Sequence, residues 1–239
     1  MSEKIQHISP ASLSNLSNRV SYLRQFINFT PDDEAALHAA APVVAPLVPA
    51  VVDAVYTKLL SFDITASSFT PRQTGYTGNV PTSVNELSHE HPQIKFRKDF
   101  LKQYLVKLVT LDFGKLESWE YLDKVGLMHT GVAGFKHRSK KPALRVEYIH
   151  CGILLGFVED IFVDAVITHP DLDIPTKNAV ARAVNKLIWI QNDLFARHYV
   201  VDESVKVNKG TVELGMCTLA LGAASLIAAG AVVARFLQW

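Results

Sequence analysis

The chain has only two cysteines, Cys151 and Cys217, among its 239 residues. Two thiols cannot form a disulfide framework, and both lie in apolar runs, so we interpret them as small hydrophobic residues in a reducing compartment. Neither sign of charge is in excess, because 24 Lys and Arg oppose 23 Asp and Glu. The net charge of +1 gives no electrostatic reason to expect nucleic acid as a partner.

Several sequence patterns are also missing. Residues 1–6 are polar and carry no apolar run behind a charged start, so we expect no secretory signal peptide. No segment alternates apolar and polar residues as a half-buried strand does, and there is no internal repeat. The chain has no Gly-x-Gly-x-x-Gly stretch or other flavin or nicotinamide signature, so any electron donor must be a separate protein.

Apolar residues recur every three or four positions along most of the chain, which predicts an all-α fold. The predicted helices cover approximately residues 12–27, 31–40, 46–62, 92–112, 117–135, 142–169 and 175–199. The second begins strongly, because Thr30 can cap it and Pro31 suits the first helical position. It should end near residue 40, because each of Pro42, Pro46 and Pro49 removes a backbone donor.

Residues 63–91 are rich in Ser, Thr, Pro, Gly and Asn, which predicts a long irregular connection. His89 and His91 at its end form a His-x-His pair that could bind a metal. No cysteine or third histidine stands at ligand spacing, so a solvated loop is the favoured interpretation.

Residues 214–234 carry no charge. Twenty-one residues at about 1.5 Å each span ~30 Å, the thickness of the hydrocarbon core of a bilayer. Lys206 and Lys209 precede this stretch, and aromatic residues that favour the membrane interface follow it. The pattern predicts a single transmembrane helix over 212–237, with a buried apolar helix as the alternative.

These segments predict the domain organisation. Residues 1–11 form a flexible N-terminus, 12–200 a helical domain, 201–211 a linker and 212–237 a tail anchor in the lipid bilayer. Without an N-terminal signal, the simplest topology is a single-pass, tail-anchored membrane protein with its helical domain in the cytosol.

His129 lies on the predicted helix 117–135 and shares its face with Leu122, Val125 and Val132. A buried imidazole on an apolar face needs a carbonyl, a water or a metal as its partner. Gly126 would thin the helix near His129 and let a flat ligand approach. From this helix alone, a hydrogen-bonded core histidine is the favoured interpretation.

Aromatic residues form two further groups. Phe96, Phe100 and Tyr104 recur every four residues of the helix 92–112, and Tyr56 shares a face with Val52. Ordinary core packing accounts for both groups without any ligand.

The order of these elements over residues 12–200 resembles the globin superfamily, specifically its protoglobin and globin-coupled-sensor branch, which has an extra N-terminal helix. Asp53-Ala-Val-Tyr56 is similar to the segment that carries a distal tyrosine. Arg97-Lys-Asp-Phe100 is similar to the distal helix with its phenylalanine. Val125-Gly-Leu-Met-His129 is similar to the Ile-Gly-Leu-x-His motif around the proximal ligand.

The resemblance implies a globin-like fold that binds haem b, with His129 as the iron ligand. The implied cofactor-binding residues are His129, Tyr56, Phe96, Phe100, Tyr104 and Val125. A basic run follows the proximal histidine almost at once in protoglobins, whereas here His137-Arg-Ser-Lys-Lys141 comes eight residues later. An alternative alignment therefore makes His137 the ligand. We favour His129, because its helical neighbours are apolar and those of His137 are basic.

The function implied is a haem globin that binds or senses a diatomic gas (O2, NO or CO) at a membrane surface. A redox activity such as NO dioxygenation would need a separate reductase. The resemblance also allows a homodimer through the last two long helices. The alternative from another class is a cofactor-free, tail-anchored helical adaptor that docks partners at a membrane.

Overall fold

The computed structural model describes residues 5–73, 75–132 and 145–200. Within these ranges the chain forms helices and no β-strand, which confirms the all-α prediction. The α-helices are α1 Leu16–Phe26, α2 Pro31–Val44, α3 Val48–Leu60, α4 Asp63–Ala66, α5 Pro92–Leu108, α6 Leu116–Met128, α7 Tyr148–Thr168 and α8 Ile174–Ala196. The proposed transmembrane tail and the alternative ligand His137 lie outside the described residues.

The start of α2 follows its sequence signature. Thr30 is the N-cap, Pro31 occupies the first turn, and the backbone N–H of Thr30 donates to Asp33 Oδ2 over 2.8 Å. Lys186 of α8 donates to the same carboxylate over 2.8 Å, and both side chains are largely buried. The cap of α2 is thereby also its attachment to α8.

The prolines interrupt the chain less than the sequence predicts. The helix does not end near residue 40 but continues through Pro42 to Val44, where a 3-10 turn, Ala45–Leu47, leads into α3. Pro46 and Pro49 each fall in the first turn of their element, where a missing backbone donor costs no intrahelical bond. The prediction that this helix ends near residue 40 was therefore wrong.

The stretch Pro31–Leu60 is long and apolar enough to cross a membrane, with a mean hydropathy of 1.8, and it is the one such stretch in the described residues. A core helix passes the same test of length and composition. Leu37, Val52 and Val55 are fully buried in the hydrophobic core, so these residues have a structural role in the fold.

Helix α8 lies at the centre of the fold and packs against α2, α6 and α7. A five-residue connection joins α7 to α8, so the two long helices form the expected antiparallel pair. Helix α3 packs against α5 and α7 on the other side of the core. These contacts place α3, α5, α6, α7 and α8 around one interior space.

Helix α6 ends at Met128 and not near residue 135, with His129 as its C-cap. Gly131 has φ +92°, a left-handed conformation that glycine adopts freely and that terminates helices. Val132 therefore does not share the apolar face of the helix and is 55% exposed.

The expected role of Gly126 is also wrong. A Cβ atom at this position would lie 2.7 Å from the carbonyl oxygen of Leu194, so Gly126 faces α8. The glycine permits a close helix–helix contact and does not make room for a ligand.

Candidate functional site

A cavity of about 410 Å³ lies among α3, α5, α6, α7 and α8. Most of the side chains that line it are aliphatic or aromatic, and its volume is typical of small-molecule sites. Five of the six predicted cofactor-binding residues line this cavity: Tyr56, Phe100, Tyr104, Val125 and His129. Residues far apart in sequence thus meet at one site.

His129 is held in a defined orientation at the end of α6. Its Nδ1 atom lies 2.7 Å from the carbonyl oxygen of Val125, and this acceptor requires the proton on Nδ1. The neutral imidazole then has its lone pair on Nε2, which is the arrangement used by metal-binding histidines. The ring also packs against Phe195, with 5.2 Å between centroids. The side chain is partly buried and lines the cavity.

The segment after His129 fixes its backbone. The N–H of Val146 donates to the carbonyl oxygen of His129 over 2.8 Å. Helix α7 begins two residues later, at Tyr148, and not at Pro142 as the sequence indicated. The extended residues before α7 hold the C-terminal end of α6 against the cavity.

Tyr56 is buried on α3, and its ring lies 5.5 Å from that of Phe69. Burial raises the pKa of Tyr56 well above the ordinary value of 10.0, although the nearby Arg97 acts in the opposite direction. The hydroxyl therefore remains protonated over the physiological range and can act as a hydrogen-bond donor. Arg97 itself is buried, lines the cavity and donates from Nη2 to the carbonyl oxygen of Pro71 over 2.9 Å.

The aromatic stripe of α5 divides into two parts. Phe100 lines the cavity and is 43% exposed, and Tyr104 also lines it. Phe96 is not a lining residue, because its ring packs between Tyr76 and Phe100 at 5.6 Å and 5.1 Å. Positions four apart on a helix rotate by about 40°, so Phe96 and Tyr104 point roughly 80° apart.

The cavity also contains residues that sequence reasoning did not assign to it. His150 and Cys151 line it from the first turn of α7, and Phe195 lines it from α8. Cys151 is buried, and burial raises the pKa of its thiol to about 11, so it is a neutral thiol at physiological pH. The apolar periodicity of α7 and α8 placed these positions in the core but gave no sign of a cavity.

The two histidines before α5 have structural partners. His91 Nδ1 accepts a hydrogen bond from the N–H of Gln93 over 3.1 Å and so caps the helix. His89 Nδ1 lies 2.8 Å from Lys98 Nζ. Among the residues with described positions, no group of three or more His, Cys, Asp or Glu side chains could hold a metal ion.

The chemistry of the cavity fits the haem that the resemblance implies. Haem is a flat apolar ring with an iron that takes imidazole and with two carboxylates. The cavity offers apolar walls and, at His129, an imidazole whose Nε2 carries the lone pair. Arg97 and Lys107 line it, and no Asp or Glu does so among the described residues.

Comparisons with known proteins address the family and the fold. The sequence model of the Protoglobin family matches residues 16–204. The globin domain of the Geobacter sulfurreducens globin-coupled sensor has a similar structure, with a TM-score of 0.54 and 16% sequence identity. That similarity covers 76% of this chain and 97% of the other, and it confirms the globin-like fold. No curated protein sequence matches the chain. The chain belongs to the protoglobin family.

Proposed function

We propose that this globin domain binds haem b through His129 and binds a diatomic gas at that haem. The observation that carries the proposal is the 2.7 Å contact between His129 Nδ1 and the Val125 carbonyl. It leaves Nε2 as the lone-pair nitrogen of an imidazole that lines an apolar cavity. Membership of the protoglobin family supports haem as the ligand.

The iron of bound haem supplies reversible coordination of gases such as O2, NO and CO. The protein's contribution on the proximal side is orientation. The Val125 carbonyl polarises the imidazole and makes Nε2 a better ligand, while the ring of Phe195 limits its rotation. The buried Val125 side chain contributes to the dry wall beside it.

Tyr56, which also lines the cavity, would contribute a hydrogen-bond donor to the bound haem. Its hydroxyl stays protonated because the ring is buried, and a bound gas with partial negative charge can accept from it. Phe69, whose ring lies 5.5 Å from that of Tyr56, and Phe100 also line the cavity and add to its apolar wall. With haem bound, this donor and the apolar lining would favour retention of the gas over oxidation of the iron.

The test is a titration of the full chain with hemin, with and without CO. We expect a Soret band that shifts on addition of CO. His129→Ala should lose the normal haem spectrum. His150→Ala is the matched control, because it removes another imidazole from the same cavity. His137→Ala tests the alternative ligand and should leave the spectrum intact.

The outcomes separate the hypotheses. If only His137→Ala loses the spectrum, His137 is the ligand and haem binding stands. If the full chain binds no hemin, the globin function is wrong and the cofactor-free adaptor becomes the better hypothesis.

We further propose that residues 212–237 anchor the domain in a lipid bilayer. The support is the uncharged stretch 214–234 in the sequence. In a flotation assay the full chain should rise with liposomes, and a chain ending at residue 211 should remain at the bottom. Flotation of the shortened chain would contradict the anchor.

A further inference from the structure

The end of the cavity where α5 approaches α6 carries polar side chains. Lys107 of α5 and Tyr121 of α6 both line the cavity there, and Lys107 Nζ lies 4.1 Å from the centroid of the Tyr121 ring. This cation–π contact holds the ammonium group at the cavity edge, although Lys107 is exposed. Among the described residues, Lys107 has no carboxylate partner.

Tyr104 adds a buried hydroxyl without a hydrogen-bond partner. Its hydroxyl oxygen is buried and forms no hydrogen bond, although the residue lines the cavity one turn before Lys107. An unsatisfied buried hydroxyl is costly, so its presence needs an explanation. A ligand that accepts a hydrogen bond at this point would supply it.

The ligand group that fits both side chains is a carboxylate. It accepts from a hydroxyl and from an ammonium at the same time, and charge-assisted hydrogen bonds of this kind are strong. The described residues that line the cavity include no acidic side chain, so none of them would repel the carboxylate. Burial raises the pKa of Tyr104, which keeps its hydroxyl as a donor at neutral pH.

We infer that Lys107 Nζ and Tyr104 Oη form a carboxylate subsite that binds one propionate group of the haem. The inference rests on the proposed haem function and adds to it the direction in which the haem lies. On α6, Tyr121 stands two turns before His129, which is about 12 Å at 1.5 Å per residue. The ring bound at His129 would therefore extend along α6 toward the α5 end of the cavity.

The test measures the rate at which the full-length protein loses hemin to an excess of apomyoglobin. Lys107→Met should lose hemin several-fold faster, the effect of one ion pair at an exposed site. Lys102→Met is the matched control, because this lysine lies on the same helix, pairs with Asp99 and does not line the cavity. It should retain hemin at the wild-type rate.

Tyr104→Phe separates a ligand-binding role from a structural one. Removal of an unpartnered buried hydroxyl should leave the stability of the haem-free protein unchanged or raise it. The same variant should lose hemin several-fold faster. If Tyr104 acted only in packing, the variant would lose hemin faster and its haem-free form would also be less stable.

Hemin dimethyl ester provides the chemical control, because both of its carboxylates are blocked. Wild type and Lys107→Met should lose the ester at equal rates. Equal rates for unmodified hemin as well would overturn the carboxylate subsite while leaving the proposed haem function intact. A wild-type chain that forms no Soret band would instead overturn the haem function, and the subsite with it.

Discussion

Replacing Gly126 with alanine should push α6 away from α8 and displace His129. The new Cβ would lie 2.7 Å from the carbonyl oxygen of Leu194 and 3.1 Å from the Cα of Phe195. Both are backbone atoms, so no rotamer change can relieve the contact. Ordinary contact begins at 3.4 Å, so α6 must retreat by about 0.7 Å at this turn.

The energetic balance favours destabilisation. Overpacking of this kind costs ~1–3 kcal/mol. The better helix propensity of alanine returns ~1 kcal/mol. We expect a net loss of up to about 2 kcal/mol in the free energy of unfolding, measured by urea denaturation of the haem-free protein. The same shift should weaken the contact between His129 and Phe195, so hemin loss should also accelerate.

Gly156→Ala is the matched control. Gly156 lies within α7, and a Cβ there would meet no atom within 4 Å. This variant should therefore be more stable by up to ~1 kcal/mol, from helix propensity alone. If Gly126→Ala also gains stability and keeps hemin as the wild type does, the close contact of α6 with α8 does not position His129.

Three other predictions concern the cavity and the surface. Tyr56→Phe should release bound O2 about tenfold faster in stopped-flow measurements, because it removes one hydrogen-bond donor, while CO release should change less. The stabilising effect of burying neutral Tyr56 is present in full below its ordinary pKa of 10.0 and is lost as the pH rises above it. The spectrum of the gas complex should therefore be constant between about pH 7 and 9.5, and a tyrosinate transition in that range would contradict the burial. Ile153 is 71% exposed on α7, so Ile153→Glu should weaken any homodimer through α7 and α8 by at least about tenfold in sedimentation experiments. Ile64→Glu, 62% exposed on α4, is the control that should leave dimerisation unchanged.

Local chemistry made the beginnings of α2 and α8 predictable from sequence, whereas the start of α7 was predicted six residues too early. Thr30, Pro31 and Asp33 determine the start of α2 through hydrogen bonds between near neighbours. Asp173 similarly caps α8 by accepting from the N–H of Thr176 over 2.9 Å. These interactions span three residues, so the order of residue types is sufficient to reveal them.

The positions that could not be predicted depend on contacts distant in sequence. The sequence alone suggested that Gly126 makes room for a ligand, because its contact with Leu194 exists only in the folded chain. His89 looked like a solvated loop residue, yet its Nε2 lies 3.2 Å from the Thr57 hydroxyl and its Nδ1 contacts Lys98. Spacing along one segment carries no information about such partners.

The position of α6, and with it the orientation of the proposed iron ligand, depends chiefly on α8. Three α8 residues that share one helical face contact successive turns of α6: Gln191, Leu194 and Phe195. Gln191 Nε2 donates to the carbonyl oxygen of Leu122 over 3.3 Å, and the Phe195 ring packs on His129. The opposite face of α8 carries Trp189, which is 56% exposed. A displacement of α8 would therefore move α6 and the imidazole of His129 with it.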